Sequence, residues 1–323
     1  MRVSRLLPLI LLCFGCGIPD APVEPLLPGN LETTRIEHEG RDRGWVSYVP
    51  VNRATPAPLV LALPGSGQSA EALRQATRYR LEELAERDGF VVVYAEAWAE
   101  GGAVSYEWND CRKNTPQPAH LENVDDVGFL LGVLDRFAAS QPIDPRRVYV
   151  FGVSDGGQMA NRMTTEHTAR FAAFASIIAQ QAAPANSNCL EPHGPIPVLF
   201  MGGTDDPIIP WVGGEAGIRW FPGATAGIVL SMDETIAHWR VRNGASSDGV
   251  TTVLRDRDPD DGTTMVRTVW AGPAPVVLYE ARGGGHTIPG GWMGVPELMV
   301  GRTNDDVQAM DEIWSFFQEH ERD

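Results

Sequence analysis

Two stretches in the first third of the chain, Leu59-Val60-Leu61-Ala62-Leu63 and Phe90-Val91-Val92-Val93-Tyr94, are apolar from end to end. A strand with no polar alternation is buried on both faces, as in a parallel sheet covered by helices on each side. Between them, Ala70 to Arg87 predicts a helix that stops at Asp88-Gly89. The alternation then repeats. Val127, Leu130, Leu131, Leu134 and Phe137 recur at helical spacing between a cap at Asn123 and a stop at Pro142. Arg147 to Phe151 predicts the central strand, 158–168 its helix, and Ala172 to Ile178 and Pro197 to Met201 two further strands. Ser231 to Asn243 predicts a helix, Pro275 to Glu280 the last buried strand, and Asp305 to Glu319 a closing helix. Such an order predicts an α/β fold whose central sheet is mostly parallel and flanked by helices. Segments 31–39 and 44–50 alternate instead and predict an antiparallel opening pair, as do 249–256 and 263–270 around Asp258-Pro259-Asp260-Asp261-Gly262. Regions 97–121 and 207–230 have no period and predict long loops, which in compact domains tend to carry function. No repeat or linker marks a second domain.

The N-terminus breaks this pattern. Arg2 and Arg5 precede an apolar run from Leu6 to Phe14, too short to span a bilayer and shaped like an export signal over residues 1–15. Cys16 after Gly15 stands where bacterial lipoproteins are lipidated, although Cys13 occupies a position usually held by leucine. Plain secretion is the alternative. Residues 16–30 read as a proline-rich tether and 31–323 as a single α/β domain. The expected location is extracellular or anchored to the outer membrane, with the lipid as the sole membrane contact. Cys111 and Cys189 are then the remaining thiols, and an exported chain with two of them suggests one disulfide.

With 26 basic and 42 acidic residues, the formal charge is −16, which argues against nucleic acid or an anionic membrane as partner. A soluble monomer is expected. The seven histidines lack paired metal-ligand spacing, so neither metal nor other cofactor is expected. Asp256, Asp258 and Asp260 imitate the start of a calcium loop. Asp261 and Arg267 stand where that loop needs glycine and glutamate, so a solvated hairpin is the reading.

Candidate chemistry centres on Gly152-Val153-Ser154-Asp155-Gly156, which follows the central strand and opens a helix. A tight strand-to-helix turn of this kind lifts a serine hydroxyl above a sheet. A serine needs a base to take its proton, and an imidazole base needs an acid to fix its tautomer. His286 follows the strand 275–280 through Gly283-Gly284-Gly285, and Asp205-Asp206 follow the strand 197–201. All three lie beyond carboxyl ends of predicted parallel strands, where open α/β sheets bind ligands. Spacing alone does not choose between the two aspartates. Acyl transfer also needs donors for an oxyanion. The candidates are the N–H of Asp155 and, from the turn Pro64-Gly65-Ser66-Gly67, that of Ser66. Trp98, Trp108, Trp211, Trp220 and Trp292 fall in loops near these strand ends and are candidates to line an aromatic cleft.

These residues resemble the exported polyhydroxybutyrate depolymerase and feruloyl esterase group of α/β-hydrolases. The likeness runs from about Gly44 to Phe317. It rests on Pro58-Leu59-Val60, Gly89 to Tyr94, Trp108-Asn109, Val124 to Phe129, Asp144 to Val150, the Ser154 pentapeptide, Gly203 to Pro207 and Gly285 to Gly290. It implies an α/β-hydrolase fold and a carboxylic-ester hydrolase, with Ser154 as nucleophile, His286 as base and Asp206 as its partner. Implied substrates are hydroxyalkanoate oligomers or polysaccharide-linked feruloyl and acetyl esters. The chain departs from the group's pattern at Pro64, usually histidine, and at Ser66, often cysteine. Ile288 and Ala245 replace a frequent tryptophan and cysteine. A peptidase or lactonase on the same triad, or a catalytically silent binding protein, are the alternatives.

Overall fold

The structure is a computed structural model that describes residues 20–99, 106–189, 194–217 and 225–322. The expected signal segment and Cys16 lie outside the described residues, as does Trp220. The chain opens with β1 (Asn30–His38) and β2 (Arg41–Val49), then β3 (Ala57–Leu63), α1 (Ala70–Ala76), α2 (Arg80–Asp88) and β4 (Val91–Ala95). The first long loop contains β5 (Trp98–Ala99), β6 (Tyr106–Glu107) and α3 (Pro118–Leu121), before α4 (Asp126–Ser140), β7 (Ile143–Val153), α5 (Asp155–Glu166) and β8 (Ala173–Ile177). β9 (Val198–Gly203) leads to the pair β10 (Gly214–Gly217) and β11 (Thr225–Val229), followed by α6 (Met232–Asn243). The hairpin β12 (Val250–Val253) and β13 (Thr264–Trp270) precedes β14 (Val276–Arg282), α7 (Glu297–Val300) and α8 (Ala309–Gln318).

Among the described residues, ten strands form one sheet in the order β1-β2-β4-β3-β7-β8-β9-β14-β13-β12. The stretch from β4 through β14 is parallel, while β1, β2, β12 and β13 join antiparallel at the edges. The unbroken apolar runs follow from burial on two sides. On β3, Val60 and Ala62 enter the core beneath α1, α2 and α8, whereas Leu59, Leu61 and Leu63 enter the one beneath α4, α5 and α6. The C-terminal helix is fastened by Trp314, which stacks on Phe90 with ring centroids 3.8 Å apart and donates its indole N–H to Asp88 at 2.6 Å.

Two of the differences from the sequence expectation have a clear cause in the contacts. Ala70 to Arg87 is two helices, because Arg78 and Tyr79 turn left-handed at φ 55° and 58°. The fold-back brings the Glu82 carboxylate 2.7 Å from the buried Arg74 guanidinium, and it frees the Ala76 carbonyl to accept the amide of Trp292. An ion pair formed across a bend leaves no mark on helical periodicity. The cap of α4 is Asp125 and not Asn123: Asp125 accepts the Gly128 amide at 2.9 Å, whereas Asn123 sits outside the helix at φ 46°. Both residue types cap helices, so composition does not separate them.

Candidate active site

Ser154 stands between β7 and α5 at φ 54°, ψ −119°. A non-glycine residue held there stores about 1–3 kcal/mol of backbone strain. The turn is over-determined by its surroundings. Ser154 donates its amide to Ile177 at 2.9 Å and accepts that of Gln158 at 3.1 Å. The flanking glycines are required by contact: a Cβ on Gly152 would lie 2.0 Å from the Gly156 carbonyl oxygen, and one on Gly156 would lie 2.1 Å from that of Leu63. The start of α5 therefore presses on the end of β3, which brings the Pro64–Gly67 turn up to the serine.

The turns after β9 and β14 interlock in the same way. The Asp205 amide bonds the Gly284 carbonyl at 2.9 Å, and a Cβ on Gly203 would lie 2.2 Å from that carbonyl oxygen. A Cβ on Gly285 would meet the Val300 carbonyl oxygen at 2.1 Å. This packing brings His286 to the other two residues: its Nε2 lies 2.9 Å from Ser154 Oγ and its Nδ1 2.7 Å from Asp206 Oδ2. Asp206 and His286 are buried, at 8% and 5% exposure, which strengthens their attraction relative to water. The second oxygen of Asp206 accepts the amides of Ile208 and Ile209, each at 2.8 Å. Asp205 is exposed and takes the Thr204 hydroxyl at 3.2 Å, away from the imidazole.

In the facing turn, the Gly65 amide donates to Gln68 Oε1, that of Gly67 to the Tyr106 carbonyl and that of Gln68 to the Gly65 carbonyl. The Ser66 amide is engaged by none of the described residues. Asp155 is the first residue of α5, and a first-turn N–H has no carbonyl within its own helix. Two amides thus remain available beside Ser154. They open onto a cavity of about 660 Å³, whose apolar wall includes Ile208, Ile209, Met293 and Val295 and whose polar wall includes Gln68 and Gln117.

The tryptophans lie elsewhere. Trp108 is fully buried, Trp211 packs on the core beside Gly202, and Trp98 lines a separate hollow near the β1–β2 turn. Trp292 is half-buried, with its ring against Gly294. None of the four borders the cavity among the described residues. Their loops begin at the right strand ends, but the Trp108 ring turns into the protein, where burying large aromatic area is favourable, and Trp98 faces a different hollow.

A group without any sequence signal lies under the serine. Arg112, buried at 2% exposure, donates to both oxygens of Asp110 at 3.0 Å and to the carboxylate of Asp155. Burial pushes the Asp155 carboxyl up, with Arg112 opposing it. Burial also acts to raise Asp110, but Arg112 and His120 outweigh it and hold that carboxyl below the usual carboxylate range. Cys111, next to Arg112, is joined to Cys189 with Cα atoms 4.9 Å apart. Among the described residues, His38, Glu39 and Asp125 bring potential metal-ligand atoms within 4.8 Å of one another. Within that cluster Asp125 accepts hydrogen bonds from His38 and from the Gly128 amide.

The order and direction of the strands, with the serine turn after the central one, define an α/β-hydrolase fold. The structure is similar to that of the acetyl xylan esterase from Aspergillus awamori, with a TM-score of 0.55 and 16% identity over 80% of this chain and 95% of that one. A family model described as esterase PHB depolymerase matches residues 44–254, and the chain belongs to that family. It is 32% identical to the putative esterase NocK of Nocardia uniformis subsp. tsuyamanensis over 310 residues, 91% of this chain and 85% of the relative. It is also 27% identical over 171 residues to the bifunctional acetylxylan esterase/xylanase XynS20E of Neocallimastix patriciarum, 53% of this chain and 22% of the relative. The chain is a carboxylic-ester hydrolase.

Proposed function

We propose that this esterase works through Ser154, His286 and Asp206 by way of an acyl-enzyme. The observation that carries this reading is the unbroken chain of contacts from Ser154 Oγ through the imidazole to Asp206, at 2.9 and 2.7 Å. His286 Nε2 takes the hydroxyl proton as Ser154 Oγ bonds to the ester carbonyl carbon, and the carbonyl oxygen gains the negative charge. The N–H groups of Asp155 and Ser66 donate to that oxygen. The tetrahedral species collapses, the alcohol leaves with the proton from His286, and the acyl group stays on Ser154. Water, deprotonated by the same imidazole, then attacks the acyl carbon; the bond to Ser154 Oγ breaks, His286 returns the proton to Oγ, and the acid leaves. Asp206 holds Nδ1 protonated and stabilises the imidazolium in both steps.

A cavity of about 660 Å³ has room for the ester group and a short acyl chain, with the remainder of a larger alcohol outside it. Its apolar wall suits a short acyl group, and its polar wall a hydroxylated alcohol. Relatives named as acetylxylan esterases favour an acetyl ester on a polysaccharide as substrate. The Cys111–Cys189 bond supports export to an oxidising compartment, with residues 31–323 as the working domain and Cys16 as the lipid anchor. A fluorophosphonate probe labels the wild type and not Ser154→Ala, and that variant loses hydrolysis of p-nitrophenyl acetate. Labelling or wild-type turnover of Ser154→Ala refutes the assignment.

A further inference from the structure

We infer that Trp108, braced by the residues up to Arg112, is a positioning residue that sets the separation of the two oxyanion amides. The inference rests on the proposed roles of the Asp155 and Ser66 N–H groups. Those amides belong to elements far apart in sequence: one at the start of α5, the other in the turn after β3. Hydrogen bonds to an oxyanion act only with both donors near 3 Å of where the charge develops, so their separation is a mechanistic quantity.

Trp108 touches both sides. Its backbone N–H donates to Asp155 Oδ2 at 3.0 Å and its indole N–H donates to the Pro64 carbonyl at 2.9 Å. The second bond fixes the peptide plane immediately before the one that carries the Ser66 N–H. Two residues upstream of Trp108, the Tyr106 carbonyl accepts the Gly67 amide at 2.8 Å and fixes the plane immediately after it. The Ser66 amide is thus held between two planes, both fastened to residues 106–108.

The brace is itself anchored. Arg112 holds the other oxygen of Asp155 and is held in turn by Asp110. Cys111 is tied across to Cys189. Asn109 donates its amide to Asp126 at 2.7 Å and its side chain to the Val124 carbonyl at 2.9 Å, which fastens the segment to the start of α4. Full burial of Trp108 keeps water from competing for either bond. Five consecutive residues, Trp108-Asn109-Asp110-Cys111-Arg112, so supply a rigid bridge beneath the active site without touching the reacting atoms.

The test replaces Trp108 with phenylalanine in the full chain, which keeps an aromatic ring and the backbone bond to Asp155 and deletes the indole N–H. With p-nitrophenyl acetate, kcat is expected to fall by about tenfold to a hundredfold, the range for a small misplacement of catalytic groups. KM stays within about twofold because ground-state binding does not use the oxyanion donors fully. Inhibition by a trifluoromethyl ketone, whose hemiketal oxygen occupies the oxyanion position, weakens by the same factor as kcat. The acid limb of the pH–rate profile does not move, since His286 and Asp206 are untouched. Wild-type kcat overturns the inference, and so does a lower kcat with unchanged ketone affinity. If Trp108→Phe does not fold, β-(3-benzothienyl)alanine at position 108 decides: it keeps the size and shape of the indole and deletes only the N–H that reaches the Pro64 carbonyl, and matched losses in kcat and ketone affinity are again required. Failure of the underlying nucleophile assignment is distinguishable, because Ser154→Ala would then hydrolyse the ester at the wild-type rate.

Discussion

Replacing Asp206 with asparagine exchanges one oxygen for an NH₂ group, and the hydrogen bonds around it dictate which one. Oδ1 accepts two backbone amides, those of Ile208 and Ile209, each at 2.8 Å. An asparagine must keep its carbonyl oxygen there, since an NH₂ would face two donors and lose both bonds. The NH₂ then faces His286 Nδ1, which in the wild type lies 2.7 Å from the carboxylate. Nδ1 is forced to accept, the proton moves to Nε2, and Nε2 can no longer take the proton of Ser154. The wrong tautomer in a serine triad costs about four powers of ten in kcat, or about 5 kcal/mol of barrier. Stability should change by only about 1 kcal/mol, because both amide bonds survive. Asp206→Ala leaves those buried amides unpartnered and should destabilise by about 3 kcal/mol or more. Steady-state hydrolysis of p-nitrophenyl acetate and urea unfolding measure the two effects separately. Asp205→Asn, on the exposed neighbour, is the control and should keep wild-type turnover. An Asp206→Asn enzyme within tenfold of wild type would refute the reasoning, as would an equal loss in Asp205→Asn.

Two further outcomes follow from contacts outside the proposed triad. Gly156→Ala drives a Cβ to 2.1 Å from one backbone carbonyl oxygen and 2.4 Å from the next, at Leu63 and Pro64, neither of which can rotate away. A loss of about 3 kcal/mol is expected, together with much of the turnover, and a variant as stable as wild type in urea would contradict the packing described. Burial acts to raise the Asp306 carboxyl, but the Asn304 side chain and the amides of Arg257 and Met265 outweigh it and hold it below the ordinary value. A depressed folded-state value contributes stability above the unfolded carboxylate range, near pH 4, and loses it as pH falls through the folded value. Asp306→Asn should therefore be less stable than wild type by about 1–2 kcal/mol at pH 7, with the gap closing below about pH 4; a gap independent of pH in paired unfolding curves rules this out.

What the sequence determined by itself is the part of the protein written in local pattern. The runs at Leu59–Leu63 and Phe90–Tyr94 had to be two-sided strands, since their lack of alternation admits no solvent face. The glycines around Ser154 and before His286 marked turns where backbone approaches backbone, and the structure supplies the carbonyls they meet. Chain order alone put a serine, an acid and a histidine beyond strand ends. The tertiary structure decided whatever depends on the direction of a side chain or on a partner distant in sequence. It distinguished Asp206 from Asp205, adjacent residues of one type, by which carboxylate turns towards His286. It broke the helix at Arg78 to bury an ion pair, and it turned Trp108 inwards where composition suggested a cleft wall. Arg112, Asp110 and Asp155 have no periodicity to betray them, because a buried salt network is specified by three-dimensional proximity and not by spacing along the chain. The residues proposed to make Ser154 reactive could be picked out in the sequence; those that hold its surroundings in place could be found only in the fold.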